Sequence, residues 1–223
     1  NNLNTKTTDL PWVITDRSQE GKVGLIHFVL NLIEVSASRL TASNFELLLS
    51  NPALQKQQRI SIEEVSEITR GLHSAGFTWG LDSSERNGEE THSLYWSLER
   101  FLLGLVLPED HNNGTKTISP YSESISNTDF IKAWSTLSKL CNYIELIRSQ
   151  RSCKEWIKLI TSLIKDLFGD GGEWAWEAQQ LLNIVNNWGL ITVNCELKID
   201  CLVVKDVITK ALSSTNGKFG HRT

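Results

Sequence analysis

Methionine is missing from all 223 residues, even from position 1, where the chain starts Asn1-Asn2-Leu3-Asn4. The tail Asn216-Gly217-Lys218-Phe219-Gly220-His221-Arg222-Thr223 reads as a glycine-punctuated approach to a further element. Together these predict an interior piece of a longer polypeptide. Cysteine is sparse and irregularly spaced: Cys141, Cys153, Cys195 and Cys201 form no CxxC pair. That excludes a disulfide scaffold, a zinc knuckle and a redox motif, and predicts thiols that act as small apolar residues in a reducing cytoplasm. No signal peptide and no apolar run of membrane-spanning length is present, so a soluble, cytoplasmic chain without a membrane partner is expected. Basic charge is also short, with 22 Lys and Arg against 26 Asp and Glu and a net charge of −4. A broad basic surface for nucleic acid is therefore not expected.

Catalytic motifs are missing too. A phosphate-binding GxxxxGK[ST] loop is absent; Asn216-Gly217-Lys218 lacks both the leading glycine and the following hydroxyl residue. No GxSxG occurs. His27, His73, His92, His111 and His221 are scattered, with no HExxH or HxxxH pair to gather a metal ion. The sequence thus assigns no catalytic residue, no cofactor and no metal ligand. One pattern competes: Glu196-Leu197-Lys198, with Asp170 upstream, has the carboxylate–lysine arrangement of metal-dependent nucleases. Such an E-x-K triplet on a short polar strand is also what alternating exposed charges produce, and the non-catalytic reading is preferred.

What is present is ordinary globular composition, 40% hydrophobic and 22% charged, with helical periodicity along most of its length. The fold class expected is mainly α: a multi-helix domain with a short strand or winged-helix-like segment. Residues 1–22 read as a flexible lead-in or edge segment. Residues 23–107 read as an N-terminal helical subdomain, opening on a helix with Val23, Ile26, Leu30 and Ile33 on one face. Thr41 caps the next helix, with Phe45, Leu48 and Leu49 facing inward. Asn51-Pro52 starts a short third helix to about Gln57. Ser61 to Glu64 is a capping box for a fourth, with Val65, Ile68 and Leu72 inward and Gly76 at its end. Phe77 to Asp82 reads as a loop or short strand, and Leu94 to Val106 as the fifth helix, stopped by Pro108.

Residues 108–127, rich in Asn, Ser, Thr, Gly and Pro, read as a linker. A C-terminal helical subdomain follows over 128–214, and residues 215–223 form the tail. Its helices start near Asn127 or Thr128, at a second capping box (Ser152 to Glu155) and near Glu173. Glu196 to Ile199 alternates like a strand, and Leu202 to Leu212 is again helical. Trp134, Trp156, Trp174, Trp176 and Trp188 fall in this half, with few basic residues interleaved, so core or interface packing is favoured over base stacking. A free-standing winged-helix DNA-binding or regulatory module is the alternative, with Lys56, Gln57, Gln58 and Arg59 as its basic face.

Four stretches in order resemble the RecC family, the gamma subunit of exodeoxyribonuclease V. Ser38-Arg39-Leu40-Thr41-Ala42-Ser43 resembles a family helix start, with Leu40 in place of an aromatic. Asn51-Pro52-Ala53-Leu54 fits the short helix that follows. Gly76-Phe77-Thr78-Trp79-Gly80-Leu81-Asp82 resembles the family's Trp-Gly-Leu/Ile-Asp motif, and Leu98-Glu99-Arg100-Phe101-Leu102-Leu103-Gly104 its Leu-acid-Arg helix. Pro120-Tyr121-Ser122-Glu123-Ser124 adds a weaker likeness.

The resemblance implies an interior helical region of a scaffold subunit with no ATPase or nuclease activity of its own. That subunit would hold RecB-type and RecD-type partners in a bacterial, cytoplasmic, ATP-dependent exodeoxyribonuclease. The whole complex would act on double-stranded DNA ends in DNA repair and recombination. No nucleic-acid-binding residue is carried over. The motif residues Trp79, Gly80, Leu81, Asp82, Leu98, Arg100 and Gly104 are expected to be structural. Trp79 would fill a gap between helices, Gly80 permit a turn, Asp82 cap the next segment and Arg100 pair with a carboxylate, Asp82 among the candidates.

Overall fold

A computed structural model of the chain describes residues 24–106, 127–191 and 197–216. Among these it is all-helical. The N-terminal half contributes α1 (Leu25–Ala37), α2 (Ala42–Leu49), α3 (Pro52–Gln58), α4 (Ile62–Ser74) and α5 (Leu94–Val106). The second half contributes α6 (Asn127–Arg148), α7 (Cys153–Phe168), α8 (Ala175–Ile191) and α9 (Cys201–Asn216), with 3-10 turns at Ser83–Arg86 and Gly172–Trp174. The segments 1–22, 108–126 and 217–223, for which a lead-in, linker and tail were anticipated, lie outside the described residues.

Local capping sets most helix starts. Thr41 accepts from Asn44 N at 3.2 Å, and Asn51 Oδ1 accepts from Ala53 N and Leu54 N at 3.0 and 3.1 Å. Ser61 with Glu64, and Ser152 with Glu155, form complete capping boxes. Helix α1 differs. Its N-cap is Gly24, which has no side chain to offer; instead Glu177, from the first turn of α8, accepts from Ile26 N at 2.8 Å. A Cβ on Gly24 would lie 2.0 Å from Glu177 Oε1, so glycine is required by close approach.

Helix α1 also departs from the single inward stripe. Leu25, Phe28, Val29, Leu32, Ile33 and Val35 are all buried, and Ile26 and Leu30 pack against the core from its margin. The physical reason is position: α1 is packed by α2 and α3 from its own half and by α6, α8 and α9 from the other. Apolar contacts therefore surround it. Phe28 meets Phe168 of α7 edge-on at 5.2 Å between ring centroids, so one core runs through both halves.

The helical fold class holds, while each anticipated short strand survives only as a one-residue bridge. Thr41 pairs with Trp79, and Arg151 with Ile199, the latter exchanging N–H···O bonds of 3.2 and 2.8 Å. Each extended segment is hemmed in by helices and has no second strand beside it to extend a ladder, so no wing forms among the described residues. The Lys56–Arg59 stretch is likewise occupied within the fold. Lys56 pairs with Glu173, and Gln58 donates to Leu167 O at 2.5 Å while accepting from Thr136 Oγ1 at 3.2 Å.

Glu177 is only 8% exposed, and burial pushes its carboxyl above the ordinary carboxylate range despite the backbone amides that favour the ion. A raised folded-state value means that the native state binds the proton more tightly than the unfolded chain. Its ionisation therefore lowers stability as pH rises from the ordinary carboxylate value through the raised one, and adds no further change above it. Glu177→Gln keeps an acceptor for Ile26 N and is expected to remove that slope in urea unfolding followed from pH 4 to 8. Glu177→Ala should cost about 1–3 kcal/mol at every pH, because a buried amide loses its partner.

Candidate functional site

The motif residues converge on the segment between α4 and α5. Thr78 to Gly80 runs extended beside Leu40 to Ala42: Ala42 N donates to Thr78 O at 3.2 Å and Gly80 N to Leu40 O at 2.7 Å. Gly80 has φ +83°, a conformation L side chains rarely adopt, and an added Cβ would press on Arg86 Cγ at 3.2 Å. The turn aims the carbonyls of Gly80 and Leu81 at the start of α5, where Leu94 N and Tyr95 N donate to them at 2.9 and 3.1 Å. Two of the amides that a helix start leaves unpaired are thus satisfied by the motif backbone. Leu81 is buried, and Asp82 Oδ1 accepts from Ser84 N at 2.8 Å to begin the 3-10 turn.

Trp79 is half-buried, and two guanidinium groups lie over its ring: Arg39 at 4.2 Å and Arg86 at 4.5 Å from the centroid. Arg86 Nη1 also donates to Trp79 O at 3.0 Å. The π surface is engaged inside the fold, where the sequence had suggested a simple filler between helices. Leu98 is buried in the core. Arg100, on α5, donates from Nη1 to the carbonyl of Ala75, the C-cap of α4, and its guanidinium lies 4.7 Å from the centre of the Trp96 ring. A cation at a helix C-terminus is electrostatically favoured, which explains an arginine at this position without a carboxylate beside it. Gly104 is part of α5.

Several residues that complete this arrangement carried no motif. Glu85 Oε1 accepts from Leu81 N at 2.6 Å and from Arg148 Nη1 of α6 at 2.5 Å. Arg148 Nε in turn donates to Ser36 O of α1 at 3.2 Å. His92 hydrogen-bonds through Nδ1 to Gly76 O at 2.7 Å and rests against Trp96, with ring centroids 5.3 Å apart. The loop is therefore clamped by α1, α5 and α6 together. Only Arg39, inside one of the quoted stretches, and Arg86, seven residues after Trp79, had a sequence position that hinted at contact.

The competing nuclease pattern is not assembled here. Glu196 lies outside the described residues, Lys198 is exposed, and Asp170 Oδ1 accepts from Gly172 N at 3.1 Å to shape a turn. Among the described residues no three of His, Cys, Asp and Glu are grouped to hold a metal ion, and no helix is long and apolar enough to cross a membrane. Cys141, Cys153 and Cys201 are buried free thiols, and burial pushes the Cys141 thiol up to about 12, which removes it as a nucleophile near neutral pH.

Residues 23–216 match the family described as RecBCD enzyme subunit RecC fourth domain. The chain belongs to that RecC family. A relative, the RecBCD enzyme subunit RecC of Haemophilus influenzae, is 24% identical over 220 residues, covering 94% of this chain and 19% of the relative. The chain thus spans about a fifth of the length of that RecC protein. Every motif residue from Ser38 to Gly104, the α6 clamp at Arg148 and the Glu177 cap fall inside the span matched to the RecC fourth domain.

Proposed function

We propose that this RecC domain is a non-catalytic structural part of a RecC-type scaffold subunit. In that reading the parent subunit holds RecB-type and RecD-type partners in the cytoplasm. The assembled exodeoxyribonuclease acts on double-stranded DNA ends in double-strand-break repair and recombination. The observation that carries the reading is where the motif spends its functional groups. Trp79 is stacked under Arg39 and Arg86, Asp82 caps a turn, and Arg100 closes the end of α4. These are groups that elsewhere bind bases, metals or phosphates; in this fold they bind the protein's own backbone and rings, which supports an architectural role.

The test is DNA binding and cleavage by the purified chain, with and without Mg²⁺, across a salt series. No cleavage is expected, together with binding no tighter than about 10⁻⁴–10⁻⁶ M at physiological salt, the non-specific range. Mg²⁺-dependent cleavage that disappears in Glu196→Ala would overturn the non-catalytic reading. Tight binding with a steep salt dependence would favour an independent DNA-binding module.

A further inference from the structure

Between α2 and α4 lies an open cleft of about 360 Å³, walled by Glu46 and Arg70 over a floor of Phe45 and Phe77. It continues along α4 into a second cleft walled by Ile62, Glu63 and Glu67, with Arg70 bordering both. Ile62 is 65% exposed, and Leu47, on the outward side of α2, is 56% exposed. Such apolar side chains beside an aromatic-floored groove leave area that a partner can cover. The walls hold three carboxylates against one guanidinium. Among the described residues Glu46, Glu67 and Arg70 make no ion pair or hydrogen bond through their side chains. Charge left uncompensated along a groove selects for the opposite sign in its occupant.

We propose that the α2–α4 groove is a docking surface for a basic amphipathic helix of a partner subunit. The occupant's apolar side chains cover Ile62, Leu47 and the cleft over Phe45 and Phe77, while its flanking Lys or Arg residues meet Glu46, Glu63 and Glu67. The shape fits a helix: α4 has 13 residues, and so runs for about 20 Å at 1.5 Å per residue, enough for anchors at i, i+3 or i+4 and i+7. The charge excludes nucleic acid, whose phosphates the carboxylates repel. A partner subunit, rather than a second copy, follows from complementarity, because two copies of this acidic face repel each other. The proposal rests on the scaffold reading above.

The experiment uses the full-length subunit that contains this chain, together with its helicase and nuclease partners. A photo-crosslinking residue replaces Ile62, and the crosslinked peptide is sequenced by mass spectrometry. The expected product joins Ile62 to a partner-subunit peptide with apolar and Lys or Arg residues at helical spacing. Glu63→Lys combined with Glu67→Lys, both on the exposed face of α4, should weaken partner association about tenfold or more. Charge reversal of the crosslinked Lys or Arg should restore it. The melting temperature of the double variant serves as the folding control. Assembly that persists with no crosslink, or with crosslinks only to the same chain, a second copy or DNA, would overturn the groove proposal and leave the scaffold reading intact. Failure of the unmodified subunit to associate with any partner would overturn both.

Discussion

Trp156→Ala is expected to lower the stability of the chain by about 3–5 kcal/mol, seen as an earlier urea midpoint with an unchanged slope. The ring is fully buried on α7 and is the largest side chain in the core. Its Nε1 donates to Ile199 O at 3.1 Å, beside the Arg151–Ile199 bridge. Truncation therefore opens a cavity and also frees the segment that leads into α9. Trp156→Phe separates the two effects: it keeps most of the ring and loses the donor, and is expected to cost about 1–2 kcal/mol. Trp176, at 51% exposed, is the control, and its replacement by alanine should stay within about 0.5 kcal/mol. Equal losses at Trp156 and Trp176 would mean that α7 is not packed as described.

Glu85→Ala comes next, with an expected loss of about 2–3 kcal/mol. One carboxylate oxygen accepts from both Leu81 N and Arg148 Nη1, and the two side chains are only 20% and 24% exposed. Removing it leaves a sheltered guanidinium, whose Nη2 already has no hydrogen-bond partner, without its counter-ion. The fully buried case costs about 3–5 kcal/mol, and the remaining solvent access reduces it. The double variant Glu85→Ala with Arg148→Met should lose at least about 1 kcal/mol less than the sum of the two single variants, since no orphaned charge remains. Strict additivity would show that the α6 clamp does not reach the motif loop.

The helices were legible where their determinants are local. Thr41, Asn51, Ser61 and Ser152 each act on an amide two or three residues away, and that spacing is written in the sequence. The inward faces of α2 and α4 were legible for the same reason, because each packs one stripe. Helix α1 was not, since a helix packed from several sides has no single stripe to find. Contacts between distant residues were equally silent. Nothing near Glu85 points to Arg148, 63 residues on, and nothing near Ile26 points to Glu177. Arg100 illustrates a different gap. Charge pairing suggested a carboxylate, but the end of α4 offers a carbonyl with the same sign of partial charge. Trp79 was read by size, while Arg39 and Arg86 engage its electrons.

The cap on α1 has a consequence during synthesis. Ile26 and Glu177 are 151 positions apart, so at about 5–20 residues per second the ribosome makes the first helix roughly 8–30 s before it makes the carboxylate that caps it. Throughout that interval the apolar sides of α1 that α6, α8 and α9 will cover are exposed in a nascent chain. The half of the domain made first is thus the half completed last, and over those seconds α1 is the stretch most in need of a chaperone.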